Sequence, residues 1–320
     1  MKTRKFNSYD KIGIVGMNPT IDKVYEIENF SAGHVFRPHT EYSVSGGKGV
    51  NIARTLKILG KKNQLLLLLG GTTGKKIKED LKRESLKTHI VKIAGSSRVC
   101  TLVLDPITHK QTVINEIGPK VSFNEIKKVK TAFNEFIKNK QIIILSGTTP
   151  AGIKNDIYAE FIRICHRQRI PVILDTSGER FKVGLSKKPF MIKPNLTELE
   201  YILDRRLTSL EQIKKVSRNL VRSGIEIVAV SLGEKGVLLT SRNGSWRAVP
   251  PRVKVVNSVG SGDAFVAGFA YAWTKEKDPI KALRLGVSAG TANTLTVKPG
   301  HCDKKDIERF YKQIKIEKIN

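Results

Sequence analysis

Residues 43–60 read S-V-S-G-G-K-G-V-N-I-A-R-T-L-K-I-L-G, and after a short polar turn the leucine run 65–69 follows. The stretch starts glycine-rich and then turns helical: Ile52, Ala53, Leu56 and Leu59 fall on one face, and Gly60 stands at the helix C-cap. The leucines have no polar alternation, the pattern of a parallel strand covered on both faces. Similar short apolar runs recur at 12–15, 142–145, 172–174 and 225–230, with amphipathic stretches between them. That alternation predicts right-handed β-α-β units and an α/β fold with a mainly parallel central sheet.

Two segments depart from the alternation. Residues 21–44 and 97–117 have mixed polarity and no helix between their strand-like halves, so they read as antiparallel ribbons. Together they predict a small β-sheet lid projecting from a single domain over 11–320. The basic start, residues 1–10, is expected to be disordered, and no apolar segment marks a secretory signal there.

The chain has 320 residues and is 40% hydrophobic, enough for a sizeable core. Its longest apolar runs are far too short to span a bilayer. Cys100, Cys165 and Cys302 are odd in number and widely spaced, which predicts free thiols and a cytoplasmic location. The six histidines do not cluster with them, so no zinc site is expected. The net charge of +28 would suit a polyanion, yet the lysines are scattered as pairs at 61, 75, 127, 187 and 214. With no long basic block, the charge reads as a solvated surface and not as a nucleic-acid footprint.

Four segments can carry chemistry. In N-S-V-G-S-G-D-A-F, residues 257–265, Gly260, Ser261 and Gly262 open an apolar helix whose N–H groups can cradle an anion. Asp263 would repel a resident anion but suits a group that takes a proton from an attacking hydroxyl; a plain helix cap would need neither glycine. At 43–51, Gly46 and Gly47 allow close approach to a polar ligand, Lys48 supplies a positive charge, and Asn51 lies on the first turn. Asn195 and Glu198, in K-P-N-L-T-E-L-E, are spaced either to hold a hydrated Mg²⁺ or to form a capping box. Ser231 and Gly233, in V-S-L-G-E-K-G-V, end a strand at the sheet edge where nucleotides bind in open α/β folds. The glycines of 70–76 (G-G-T-T-G-K-K) have the wrong spacing for a P-loop and read as a strand-to-helix turn facing the ligand cleft.

In this order the segments resemble the ribokinase-like (PfkB) family of carbohydrate kinases, from about residue 11 onward. The two glycine signatures, P-N-x-x-E and S-L-G-x-x-G carry the resemblance; M-N-P-T-I-D (17–22), S-S-R-V-C-T (96–101) and S-G-T-T-P (146–150) are similar to its phosphosugar branch. The resemblance implies a ribokinase-like three-layer αβα sandwich and ATP-dependent phosphorylation of a ketohexose monophosphate. The acceptor is expected to be fructose 1-phosphate, with tagatose 6-phosphate or fructose 6-phosphate as alternatives. By position it implies Asp263 as catalytic base and Gly260, Ser261 and Gly262 as the anion hole. Asp22, Gly46, Gly47 and Asn51 would hold sugar hydroxyls, Lys48 and Arg98 would grip the substrate phosphate, and Ser146 and Thr148 would complete the substrate site. ATP would meet Ser231, Gly233, Gly236, Gly260, Gly262 and Asn293, and Asn195 with Glu198 would organise Mg²⁺. A monovalent cation beside the anion hole is left open. Lids of this family often pair between subunits, which implies a homodimer. Thr148 and Ala264 stand where the branch often has serine. A basic nucleic-acid-binding protein on a kinase scaffold is the alternative from another class.

Overall fold

A computed structural model of the protein describes residues 11–38 and 40–319. The disordered tail expected over 1–10 lies outside the described residues.

The chain opens with β1 (Ile12–Gly16) and forms a hairpin of β2 (Thr20–Glu26) and β3 (Thr40–Gly46); helix α1 (Lys48–Ile58) then returns it to β4 (Asn63–Leu69). Helix α2 (Gly71–Arg83) and β5 (Thr88–Lys92) lead to a second hairpin, β6 (Arg98–Leu104) and β7 (Gln111–Asn115). Next come α3 (Phe123–Phe136), β8 (Ile142–Ser146), α4 (Ile157–Arg167), β9 (Val172–Asp175), α5 (Glu179–Leu185), β10 (Met191–Ile192), α6 (Leu196–Leu203), α7 (Leu210–Arg222) and β11 (Ile227–Ser231). The hairpin β12 (Val237–Ser241) and β13 (Gly244–Val249), helices α8 (Ser261–Glu276), α9 (Pro279–Asn293) and α10 (Lys304–Gln313), and strand β14 (Lys315–Lys318) complete it.

The large sheet has ten strands in the order β14-β13-β12-β11-β10-β9-β8-β1-β4-β5. It is parallel from β5 to β11 and antiparallel through β12, β13 and β14, as a mainly parallel sheet was expected to be. Alternate strand residues feed opposite faces. Val15, Leu66, Ile143 and Leu174 join a cluster with Phe133 and Phe161, whose rings stack 3.7 Å apart. Ile14, Leu67, Ile144 and Ile173 join the cluster on the other face with Val266 and Phe269 of α8. That period of two is why the uninterrupted apolar runs became strands.

The small sheet has the order β3-β2-β6-β7. Each hairpin is antiparallel, while β2 and β6 pair in parallel, setting Thr20 opposite Arg98 and Asp22 opposite Cys100. Two segments far apart in sequence thus share one sheet. Helix α1 differs from its one-faced reading. It is buried from Gly49 to Leu56, Asn51, Arg54 and Thr55 included, because α8 packs along it. The C-cap is Leu59, and Gly60 takes φ +81° one residue later.

Candidate active site

The carboxyl ends of the parallel strands, the base of the small sheet and the starts of α1 and α8 enclose a cleft of about 630 Å³. Gly260 caps α8 at φ +84°, and a β-carbon there would lie 3.0 Å from Pro299 Cβ, so both backbone angle and space call for glycine. Gly260, Gly262 and Asp263 line the cleft. Asp263 makes no capping bond to its own helix. Its Oδ2 instead accepts from Asn51 Nδ2 at 2.9 Å. Burial removes it from water and Asp175 repels its charge; Lys48, Asn51 and Lys193 offset only part, leaving the carboxyl pushed up to about 7. A buried acid poised near neutrality can accept a proton at physiological pH.

Lys48 lines the cleft too, but it is not an unpaired cation. Its Nζ lies 3.1 Å from Asp175 Oδ1, and Lys193 Nζ lies 3.3 Å from the same oxygen. Burial disfavours the Lys48 charge, yet Asp175, Asp263 and Glu198 outweigh it and raise its pKa above the usual lysine range. Burial likewise works against the Asp175 carboxylate, which Lys193 and Lys48 nonetheless hold below the usual range. Lys48, expected to grip the substrate phosphate, thus already has a partner for its charge within the chain. Asp175 and Lys193 were missed in the sequence. Lys193 opens the K-P-N motif, and a β-carbon on Gly262 would sit 3.2 Å from its Nζ, so its ammonium stands over the start of α8. Nothing but position set it apart from the other lysines of so basic a chain.

At the small-sheet end, Arg98 Nε donates to Asn18 O at 3.3 Å, and its Nη1 donates to Asn115 Oδ1 and Glu116 O. Asn18 Nδ2 donates in turn to Thr148 Oγ1 at 3.1 Å. Asp22 is buried beside them and pushed up to about 7, chiefly by desolvation and further by Asp263, against Arg98 and Arg54. A side chain at Gly46 would run into the Asp22 carboxylate, and Gly47 turns at φ +93° to start α1. Ser146 faces the same cleft and donates to Asp175 Oδ2 at 3.5 Å.

Asn195 and Glu198 form the capping box in full: Asn195 Oδ1 accepts from Glu198 N at 2.7 Å, and Glu198 Oε2 from Asn195 N at 2.9 Å. Both still line the cleft, with the second Glu198 oxygen outside the box. Among the described residues no group of three or more His, Cys, Asp or Glu could cage a metal. One amide and one carboxylate fit Mg²⁺, which keeps most of its waters and takes phosphate oxygens.

Ser231 lines the cleft, bridged to Asn195. Four expected residues do not line it. Gly233 lies in the turn 233–235 beyond Ser231. Gly236 is glycine because a side chain would strike Ala248 O in the β12–β13 hairpin. Asn293 is fully buried behind the α8 start, donating to Val259 O at 2.8 Å and to Ser261 Oγ at 3.4 Å and accepting from Gly300 N at 2.7 Å. It braces the loop where an ATP contact was expected, and Ser261 points back to it. The turn 70–76 does not face the cleft either: Gly70 and Ser97 bond each other, Gly70 N to Ser97 Oγ at 3.2 Å and Ser97 N to Gly70 O at 2.9 Å.

A family described as pfkB family carbohydrate kinase matches residues 10–306. The chain is 32% identical over 305 residues to a 1-phosphofructokinase of Bacillus subtilis, covering 95% of this chain and 99% of that one. It is 30% identical over 306 residues to a tagatose-6-phosphate kinase of Staphylococcus epidermidis, with 95% and 98% covered. Among solved structures it is similar to phosphofructokinase-2 of Escherichia coli in complex with substrates and products, at a TM-score of 0.88 and 26% identity, covering 95% and 99% of the two chains.

Proposed function

The chain belongs to the pfkB family of carbohydrate kinases and is a phosphotransferase, and from that premise we propose that it converts fructose 1-phosphate to fructose 1,6-bisphosphate with ATP. The observation that carries this reading is Asp263, a buried acid held by Asn51 where the α8 start meets the sugar end of the cleft. In the proposed step the C6 hydroxyl oxygen attacks the γ-phosphorus and its proton passes to Asp263. The new O–P bond forms as the bond to the β-phosphate oxygen breaks, and ADP leaves. The backbone at Gly260 and Gly262 and the Lys193 ammonium face the charge that moves, while the Ser261 N–H, expected in the anion hole, is taken by Ser258 O at 3.2 Å. Asn195 and Glu198 would hold Mg²⁺, which when bound neutralises phosphate charge. Asp22, Gly46, Gly47 and Asn51 would orient the sugar, and Ser231 would meet the nucleotide.

The small sheet acts as a lid that excludes water and limits wasteful ATP hydrolysis. Its edge strand β7 exposes Val113 and Ile114, and Ile117 follows at 80% exposure, which supports a homodimer formed through this sheet. Three free buried cysteines support a cytoplasmic location. Among the described residues no helix is long and apolar enough to cross a membrane.

Phosphorylation of tagatose 6-phosphate is the second reading, favoured by the relative of that name. A coupled assay across fructose 1-phosphate, fructose 6-phosphate and tagatose 6-phosphate is expected to give the highest kcat/KM with the first. Turnover of none of them, alongside steeply salt-dependent binding to nucleic acid, would replace the kinase reading with a nucleic-acid-binding one.

A further inference from the structure

With Lys48 and Lys193 sharing Asp175, the cleft-lining cations among the described residues that make no ion pair are guanidinium groups. Arg98 is one. The other is Arg180, partly buried on the first turn of α5 and lining the same cleft. Its Nε donates to Thr149 Oγ1 at 2.7 Å. Among the described residues neither guanidinium lies within ion-pair distance of an acid. Asp22 feels the Arg98 charge only from beyond ion-pair distance, and Glu116, whose backbone O accepts from Arg98, spends its Oε2 on Val99 N–H at 2.8 Å. The two arginines are joined by one polar strip: Arg98 Nε to Asn18 O, Asn18 Nδ2 to Thr148 Oγ1, and Thr149 Oγ1 accepting from Arg180. Thr149 is buried, so this tether fixes the arginine's stem and leaves the two outer nitrogens of its planar fork to the cleft.

We propose that Arg180 is a specificity-determining residue that grips the phosphate already present on the acceptor, opposite Arg98 across the Asn18–Thr148–Thr149 strip. This rests on the sugar-phosphate kinase reading and deepens it. A pair of forked donors over a floor of hydroxyls matches a dianionic phosphomonoester, whose oxygens accept several charge-assisted bonds at once. A neutral sugar offers nothing that would offset desolvating the two cations. Arg180 therefore selects phosphorylated over unphosphorylated acceptors, and Lys48, charge-paired with Asp175, is left to the reacting end.

The test is steady-state kinetics of the full chain and of Arg180→Ala and Arg180→Gln, varying in turn fructose 1-phosphate, fructose and ATP. Each variant is expected to raise KM for the sugar phosphate about ten- to hundredfold, the loss of one charged phosphate contact. KM for ATP should stay within about twofold, and the preference for fructose 1-phosphate over fructose should fall in parallel. Gln keeps the stem as far as the Nε position and an N–H for Thr149, so the same asymmetry in that variant separates lost charge from a collapsed loop. Equal increases in both KM values, or an unchanged phosphate preference, would overturn the role of Arg180 while leaving the kinase intact. A wild-type chain that phosphorylates no sugar phosphate would instead overturn the functional reading beneath it.

Discussion

Asn51 Nδ2 lies 2.9 Å from Oδ2 of Asp263, a bond between residues 212 positions apart. It ties the first turn of α1 to the first turn of α8. The amide's other end is approached by Arg54 Nη1 at 3.5 Å, and that arginine also donates to Pro299 O, in the loop packed behind Gly260. The proton acceptor and the anion cup are thus located by one buried framework that the glycine-rich start of α1 brings within reach.

Replacing Asp263 by Asn keeps the shape and removes the basic oxygen. Turnover should drop about 10²- to 10⁴-fold, the usual worth of a general base, with KM for both substrates nearly unchanged. Steady-state kinetics checks this, and near-normal kcat would take Asp263 out of its role.

The acid limb of the kcat profile should lie near pH 7, where Asp263 titrates. Asn51 donates to the ionised carboxyl and so lowers its pKa. Asn51→Leu should therefore move the limb alkaline by about one pH unit, the order expected for one bond to a charged acceptor. A limb that stays put, or moves acid, would contradict the assignment.

Stability should carry the same signature. Asp263 and Asp22 have folded-state pKa values raised from 3.8 to about 7, so the folded chain holds protons that the unfolded chain releases above pH 4. Their contribution is complete below that point and is lost as pH rises through 7. Asp263→Asn, which cannot ionise, should match the wild-type melting temperature near pH 4 and exceed it at pH 8. A difference that grows toward acid would have the wrong sign.

Arg54 is 4% exposed, and its Nε and Nη2 reach Glu84 Oε2 and Oε1 at 2.6 and 2.8 Å. Glu84→Ala leaves that guanidinium buried with only carbonyl and amide partners. The cost should fall near the lower end of the ~3–5 kcal/mol typical of breaking a buried pair, because Glu84 itself is partly solvated. Urea unfolding measures it, and a loss under about 1 kcal/mol would show that Ser45 O and Pro299 O suffice.

Much of this was legible in the chain. Runs such as 65–69 and 142–145 contain no polar residue, and each became a strand buried on both faces. Asp263 stood out because glycines precede it and apolar residues follow, and it caps nothing in the structure. Asn195 and Glu198 were legible only as a choice, and the capping box is formed while both still face the cleft. That Asn293 and Gly236 brace turns off the cleft was not legible, because a polar residue or a glycine near a motif looks alike whether it meets a ligand or braces a turn.

What the amino-acid order determined alone is the layering and the position of the acid at a glycine-lined helix start. Side-chain period and backbone permissiveness are local properties, written into a few consecutive residues. What the tertiary structure decided is the pairing of charges: Lys48 with Asp175 across 127 positions, Arg54 with Glu84, and Arg180 beside Thr149 in place of a carboxylate. A cation's partner is whichever group the fold carries within a few ångströms, and in a chain with 57 lysines and arginines against 29 acids, composition offers no way to know which stay unpaired.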